Sequence, residues 1–286
     1  MTKKRTAALA ASILIATMAL ASCSDSPESD STASVPADCT PAHEFDTIKD
    51  GALTVAIPEL PPFTSYNNGS PEGIDVEIVD AIAKTECLNL EYVAVEYNGA
   101  IPAVQADRAD VAIGDYYRTT SRAEIVGLSD PMYVDGMGII SKDGVKDLDE
   151  ILTRKVGTVD GYLWLADMKT LLGGDLKVYK SNVELWADLE AGRIDVGIDS
   201  IPVAAEVAKS KSGWEVNSMD PDDRVGASVK PAQVALPFSK DNSSLETALN
   251  EDIKKMHEDG AIADIFKKFD VDPSVTEVGE AYLLDS

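Results

Sequence analysis

Apolar and polar positions follow two rhythms along this chain. Leu53-Thr54-Val55-Ala56-Ile57 is a short apolar run and predicts a buried strand. Between Asp75 and Thr85, the residues Val76, Ile78, Val79, Ile82 and Ala83 recur with a helical period. Leu90–Val95 is strand-like, Ala100–Ala106 helical and Asp110–Ile113 strand-like again. The pattern restarts near Val145. Strands are expected at Lys155–Val159, Leu176–Tyr179 and Ile194–Ile198, with helices at Trp164–Leu172, Val183–Leu189 and Val203–Lys209. A strand-like crossing at Gln233–Phe238 precedes two helices, Ser243–Glu258 and Ile262–Phe269. Such alternation predicts parallel sheets with crossover helices. The restart implies two α/β lobes joined by two segments, the first near Gly138–Ser141. Rhythm alone does not say whether the chain returns to its first lobe.

The first residues have another pattern. Lys3, Lys4 and Arg5 precede a nearly continuous apolar run, Ala7–Leu20, which ends in Ala21-Ser22-Cys23. A basic start, a short apolar stretch and small residues before a cut site describe a secretory signal peptide. The run is short of the about 20 apolar residues that span a bilayer. Cys23 directly after the small residues resembles a bacterial lipobox, which implies cleavage of residues 1–22 and a diacylglycerol on the thiol. Ser24–Ala37 then reads SDSPESDSTASVPA, with Val35 its one large apolar side chain. This composition predicts a disordered tether over 23–38, with ends about 20 Å apart if it is a flexible coil.

Charge and cysteine count sharpen this picture. The chain has 50 acidic and 25 basic residues, a balance that argues against nucleic acid and anionic headgroups as partners. Membrane contact is therefore expected through Cys23 alone. With Cys23 acylated, Cys39 and Cys87 remain, in a compartment where disulfides persist; a bridge is expected, the alternative being two free thiols. His43 and His257 stand apart in sequence, which argues against a metal cluster or a His-based triad. No Gly-rich phosphate loop is present, and no cofactor is expected.

Four segments then carry a resemblance. They are GALTVAIPELPPF (Gly51–Phe63), GIDVEIVDAIAK (Gly73–Lys84), YNGAIPAVQADRADVAIGDYYRTTSRAEIVGLSDPMY (Tyr97–Tyr133) and LEAGRIDVGIDSIPVA (Leu189–Ala204). In order and spacing the chain resembles the polar-amino-acid family of ABC-importer solute-binding lipoproteins, family 3. The resemblance implies an α/β, two-lobe type 2 periplasmic-binding-protein fold, with a hinge and a ligand cleft between lobes. Lobe 1 is expected at 39–140 plus 236–286 and lobe 2 at 141–235. It implies an extracytoplasmic protein, monomeric and lipid-anchored at the outer face of the membrane. This protein would close on an amino acid or related small carboxylate and deliver it to membrane permease subunits. Arg122 matches the Arg with which the family grips a carboxylate, through a bidentate pair that Lys cannot reproduce. Arg118 is expected at the surface or behind the site. Tyr97 matches an aromatic stacked on the ligand. Gly114 precedes backbone groups that contact it, followed by Asp115, Tyr116 and Tyr117.

The departures are as informative. The place of the family's ammonium-binding Asp in lobe 2 is Ser200, with Asp199 one residue early; in a turn such a shift would restore the contact, and in a strand it reverses the direction of the side chain. Ile57 stands where many members have an acid, with Glu59 nearby. Leu60 replaces an aromatic, Tyr117 a small hydroxyl residue, and Gly161-Tyr162-Leu163-Trp164 a Gly-Thr stretch. Aromatic area is thus added through Tyr116, Tyr117, Tyr162 and Trp164, at least two of which are expected in core or rim. Aromatic faces favour a diffuse cation or a flat ring. The expected ligand is a small zwitterion or carboxylate that need not be a standard amino acid, with a glutamate- or glutamine-like ligand as the family default. The rival readings are a dehydratase-like enzyme using Glu59, Asp115, Asp160 or Asp199, and a ligand sensor.

Overall fold

The computed structural model describes residues 35–36, 38–209 and 212–285. The expected signal peptide, Cys23 and the tether as far as residue 34 lie outside the described residues.

Two five-stranded sheets organise the chain. Its first part runs β1 (Ala52–Ile57), a hairpin of β2 (Ser65–Asn67) and β3 (Ser70–Glu72), α1 (Ile74–Thr85), β4 (Asn89–Ala94), α2 (Ala100–Gln105), β5 (Val111–Ala112), α3 (Thr120–Ile125) and β6 (Gly127–Leu128). There follow β7 (Tyr133–Asp135), β8 (Met137–Ser141), α4 (Leu148–Ile151), β9 (Val156–Val159), α5 (Leu165–Leu172), β10 (Lys177–Tyr179), α6 (Asn182–Glu190), β11 (Val196–Ser200), α7 (Ile201–Lys209) and β12 (Glu215–Ser218). The chain ends with α8 (Gly226–Val229), β13 (Ala232–Val234), β14 (Pro237–Phe238), α9 (Ser243–Glu258) and α10 (Ala261–Lys268).

The first sheet has the order β4-β1-β5-β14-β6 and the second β10-β9-β11-β8-β12. The expected parallel pairing holds for β4-β1-β5 and for β10-β9-β11. The remaining neighbours are antiparallel: β14 against β5 and β6, and β8 against β11 and β12. Both sheets are therefore mixed.

All six residues of β1 are buried, as a strand covered on both faces requires. Helix α1 buries Ile74, Val76, Ile78, Val79, Ile82 and Ala83 on one stripe. Several helices start on a side-chain cap: Thr119, Asp147, Ser181 and Asn242 accept from backbone N–H groups in the first turns of α3, α4, α6 and α9. Gly73, ahead of α1, has φ 135°, and a Cβ there would lie 2.2 Å from the Phe63 carbonyl oxygen, so only glycine fits.

The chain passes from the first sheet through β7 into β8 and returns through β13 into β14. Strands β7 and β13 pair antiparallel, Tyr133 opposite Val234 and Asp135 opposite Ala232. This ladder is the double crossing between lobes. Gly138–Ser141, expected as the first connection, is instead the body of β8, and all five β8 residues are buried. A boundary at 140/141 would cut that strand. Gln233–Phe238, expected as one strand-like piece, is two strands in two different sheets. Cys39 and Cys87 form a disulfide with Cα atoms 5.8 Å apart, closing the N-terminal arm onto the end of α1. No helix of the described residues is long and apolar enough to cross a membrane.

Candidate functional site

The carboxyl ends of parallel strands from the two sheets meet at one place. The loop after β5 carries Gly114-Asp115-Tyr116-Tyr117, the loop after β9 carries Asp160-Gly161-Tyr162-Leu163-Trp164, and β11 ends on Asp199-Ser200. Ligand sites of α/β sheets form at such edges.

A buried acid holds the β5 loop. The N–H groups of Gly114 and Asp115 donate to Asp75 Oδ2 (2.9 and 3.0 Å), and Tyr133 Oη donates to its Oδ1 (2.8 Å). Burial pushes the Asp75 carboxyl up to about 6 against the pull of these three bonds. Gly114 has φ 124°, and a Cβ there would lie 2.7 Å from Pro58 Cγ.

Aromatic rings line and close the cleft. Tyr97 stacks on Tyr116 with ring centroids 4.7 Å apart, and Tyr162 from the second lobe meets Tyr97 edge-on at 4.8 Å. Trp164 lies 5.1 Å from Tyr162 and 6.3 Å from Tyr117, so rings of the two lobes are in contact. Tyr116 and Trp164 are both only 1% exposed; Trp164 Nε1 donates to Thr158 Oγ1 (2.8 Å) and Tyr116 Oη to the Tyr97 carbonyl (2.6 Å). These two rings are walls. Tyr97 and Tyr162 present the remaining ring faces and edges.

Arg122 reaches across from α3. Its backbone N–H is held by the Thr119 cap (3.2 Å). The guanidinium donates through Nη1 to the Tyr117 carbonyl (2.9 Å) and through Nη2 to the Gly161 carbonyl (3.2 Å) and Tyr97 Oη (3.5 Å). Its Cζ sits 5.4 Å from the Tyr116 ring centroid. Among the described residues it makes no ion pair, so a half-buried cation faces only neutral oxygens and a ring. Gly161 lies in the second lobe, which makes Arg122 a bridge between lobes. Asn98 Nδ2, donating to Asp160 Oδ2 at 2.7 Å, is another. Arg118 is turned away, donating to the carbonyls of Ser129, Leu128 and Tyr282.

On the other side of the rings lies a group of buried acids. Asp199 accepts from Tyr162 Oη (3.0 Å), the Ser200 N–H (2.8 Å) and Asn182 Nδ2. Burial, with the Asp135 carboxylate adding to it, pushes Asp199 up to about 8. Asp135 accepts from Tyr117 Oη (2.9 Å) and from the Gly136 N–H (2.6 Å), and it is hydrogen-bonded to the side chains of Ser200 and Asp115. Burial raises Asp115 well above the carboxylate range, and the Asp135 charge raises it further. Asp115 Oδ1 is buried without a partner, on a residue with φ 61°. No Lys or Arg among the described residues pairs with any of the three. The adjacent Asp199 and Ser200 point to opposite sides of β11, as strand alternation requires: Asp199 meets Tyr162 and Asn182, Ser200 meets Asp135.

The expected site residues thus come together, while Glu59 is exposed. The sequence reading missed Asp75, Asp135 and Asn182. Asp75 had one local signal, an acid in the first turn of a helix. Asp135 and Asn182 had none, since each is an ordinary polar residue until the lobes fold together.

Residues 53–271 match the model of the bacterial extracellular solute-binding proteins, family 3. The chain belongs to that family. It is 26% identical over 216 residues to the probable amino-acid-binding protein YxeM of Bacillus subtilis, covering 73% of this chain and 79% of that one. It is 26% identical over 213 residues to the arginine-binding extracellular protein ArtP of the same organism, covering 73% and 81%. A solved structure of an ancestral arginine-binding protein bound to glutamine superposes with a TM-score of 0.69 at 27% identity, covering 77% of this chain and 98% of the other.

Proposed function

We propose that this solute-binding protein captures an amino acid or related zwitterion by closure of its lobes and hands it to the permease of an ABC importer. In this reading Arg122 takes the ligand's carboxylate in a two-pronged pair. The ligand's positive group is taken by Asp115, Asp135 and Asp199, with Tyr97, Tyr116, Tyr117, Tyr162 and Trp164 as walls and Gly114, Gly161 and Ser200 as close backbone or hydroxyl neighbours. One observation carries it: an unpaired guanidinium on one side of the rings and three buried, raised carboxyls without a base on the other. A cation entering there would ionise an acid and recover charge-assisted hydrogen bonds in a dry site. The arginine-binding relatives support a ligand with a cationic end. The aromatic walls extend the range to quaternary or delocalised cations.

A thermal-shift panel tests this. Arginine, ornithine and betaine-like zwitterions should raise the melting midpoint more than glutamine, and glutamate least. Strongest stabilisation by glutamate would overturn the assignment of the acidic side. Native mass spectrometry of the purified protein would identify a carried ligand directly. A second reading, a dehydratase-like enzyme, is favoured only by the raised Asp199, a poised proton donor near neutral pH. Turnover of the bound ligand would establish it. We further propose that Cys23 carries the lipid anchor and that 23–38 is the leash.

A further inference from the structure

His43, isolated in the sequence, is not isolated in space. It lies on the N-terminal arm, four residues after Cys39. Its backbone N–H donates to Glu86 Oε2 (2.9 Å), its Nδ1 lies 2.6 Å from Glu86 Oε1, and its Nε2 lies 2.9 Å from Glu251 Oε2. Glu86 closes the C-terminal end of α1, and its side chain is fully buried. Asp252, on α9, is 4% exposed, and its Oδ2 is buried with no hydrogen-bond partner. One ligand-type atom from each of His43, Glu86 and Asp252 lies within 4.8 Å of the other two.

The charges do not balance. Two buried carboxyl groups, hydrogen-bonded to each other, and the exposed Glu251 surround a single imidazole, which can supply at most one positive charge. Lys255, a turn further along α9, acts on Asp252 only at longer range. A buried carboxylate oxygen left unpaired is costly. The His43 contacts also have a direction. In this structure both ring nitrogens lie at hydrogen-bond distance from carboxylate oxygens and donate to them; an ion would replace the Nδ1 proton and leave Nε2–H on Glu251. A carboxylate on the far nitrogen is the usual support for a metal-binding imidazole.

We infer that His43, Glu86 and Asp252 form a binding site for a first-row divalent cation, with Glu251 orienting the imidazole, and that the ion fastens the N-terminal arm to the first lobe. An imidazole nitrogen with two carboxylates suits zinc better than the all-oxygen cations calcium and magnesium. Zinc ligands at about 2.0–2.2 Å place donor atoms about 3.3–3.6 Å apart, a separation inside the 4.8 Å that spans the three ligand atoms here. A groove of about 430 Å³, lined in part by Pro41, His43, Phe45 and Glu86, opens beside two of the three ligands; Asp252 does not line it. The Cys39–Cys87 bridge lies beside it, so two cross-links would secure the same arm.

The test uses the full chain in detergent, without a histidine tag or reductant, titrated calorimetrically with zinc chloride in a non-chelating buffer. One equivalent should bind, and zinc should raise the melting midpoint. Asp252→Asn and His43→Gln should each weaken binding by more than the about 10–100-fold typical of losing an outer partner, the effect expected for Glu251→Gln. Cobalt should give tetrahedral visible bands in the wild type and lose them in His43→Gln. Absence of stoichiometric zinc uptake by the wild type would overturn the site. So would uptake unchanged in both ligand variants, or a calcium affinity equal to that for zinc. If a variant fails to fold, the wild-type cobalt spectrum decides alone, and six-coordinate bands without nitrogen ligation count against the site.

Discussion

Replacing Asp199 by Asn should stabilise the ligand-free protein, and the gain should grow with pH. Asp199 is fully buried and is pushed from 3.8 to about 8. In the unfolded chain it ionises near 3.8, while in the fold it keeps its proton until about pH 8. Its contribution to stability is therefore intact below the unfolded value and is lost as pH rises towards the folded one. Each pH step in that window costs about 1.4 kcal/mol, so the wild type should lose about 3–4 kcal/mol through this residue between pH 5 and 8. The amide keeps acceptance from Tyr162 Oη and the Ser200 N–H, but it sets an NH₂ against Asn182 Nδ2. That clash adds about 1 kcal/mol, independent of pH. The diagnostic is therefore the slope, not the offset. Urea unfolding of ligand-stripped wild type and Asp199→Asn, followed by Trp fluorescence at pH 5, 6.5 and 8, measures it. Asp115 and Asp135 titrate in both proteins and largely cancel in the difference. A stability difference that stays flat from pH 5 to 8 would refute the reasoning. The same variant should bind a cationic ligand more weakly, so a gain in stability would accompany a loss of function.

Three further outcomes are expected. Arg122→Lys retains the charge but not the fork, and should cost about 1.5–3 kcal/mol of ligand affinity, read by calorimetry with the best ligand of the panel; wild-type affinity in this variant would remove Arg122 from the site. Cys39→Ser opens a loop closed by partners 48 residues apart, which should cost about 4 kcal/mol in denaturant unfolding, with no further loss on adding reductant. Cys23→Ser should move the protein from the membrane fraction to the exported soluble fraction, and unchanged membrane association would argue against the lipid anchor.

Much of the fold is legible because local pattern and burial agree. The strand at Leu53–Ile57, the helix from Asp75 and the helix Ser243–Glu258 appear in the structure within one residue of their expected bounds. The errors concentrate where a segment changes sheets. Gly138–Ser141 reads as a connection because it lies just ahead of the point where the strand–helix rhythm restarts. It is a strand because β11 and β12 pair with it on either side, and those partners lie about 60 and 80 residues away. The antiparallel members of both sheets were hidden for the same reason.

The residue types of the site were visible in one dimension, and their relations were not. Arg122, Tyr97 and the loop Gly114–Tyr117 follow from motif order, and export and the pairing of Cys39 with Cys87 follow from composition and cysteine arithmetic. Whether Asp199 faces the cleft depends on the direction of one side chain at the end of β11. That it shares a buried pocket with Asp135 and Asp115 depends on how the β7–β13 ladder brings two sheets edge to edge. His43 makes the same point: an isolated histidine in the chain becomes the centre of three acidic groups once the arm is closed against α1 and α9. Hydrophobic period and turn chemistry act over a few residues and are written locally. Charge compensation, burial and proton affinity are set by neighbours tens to hundreds of residues away, and only the packed chain brings those neighbours together.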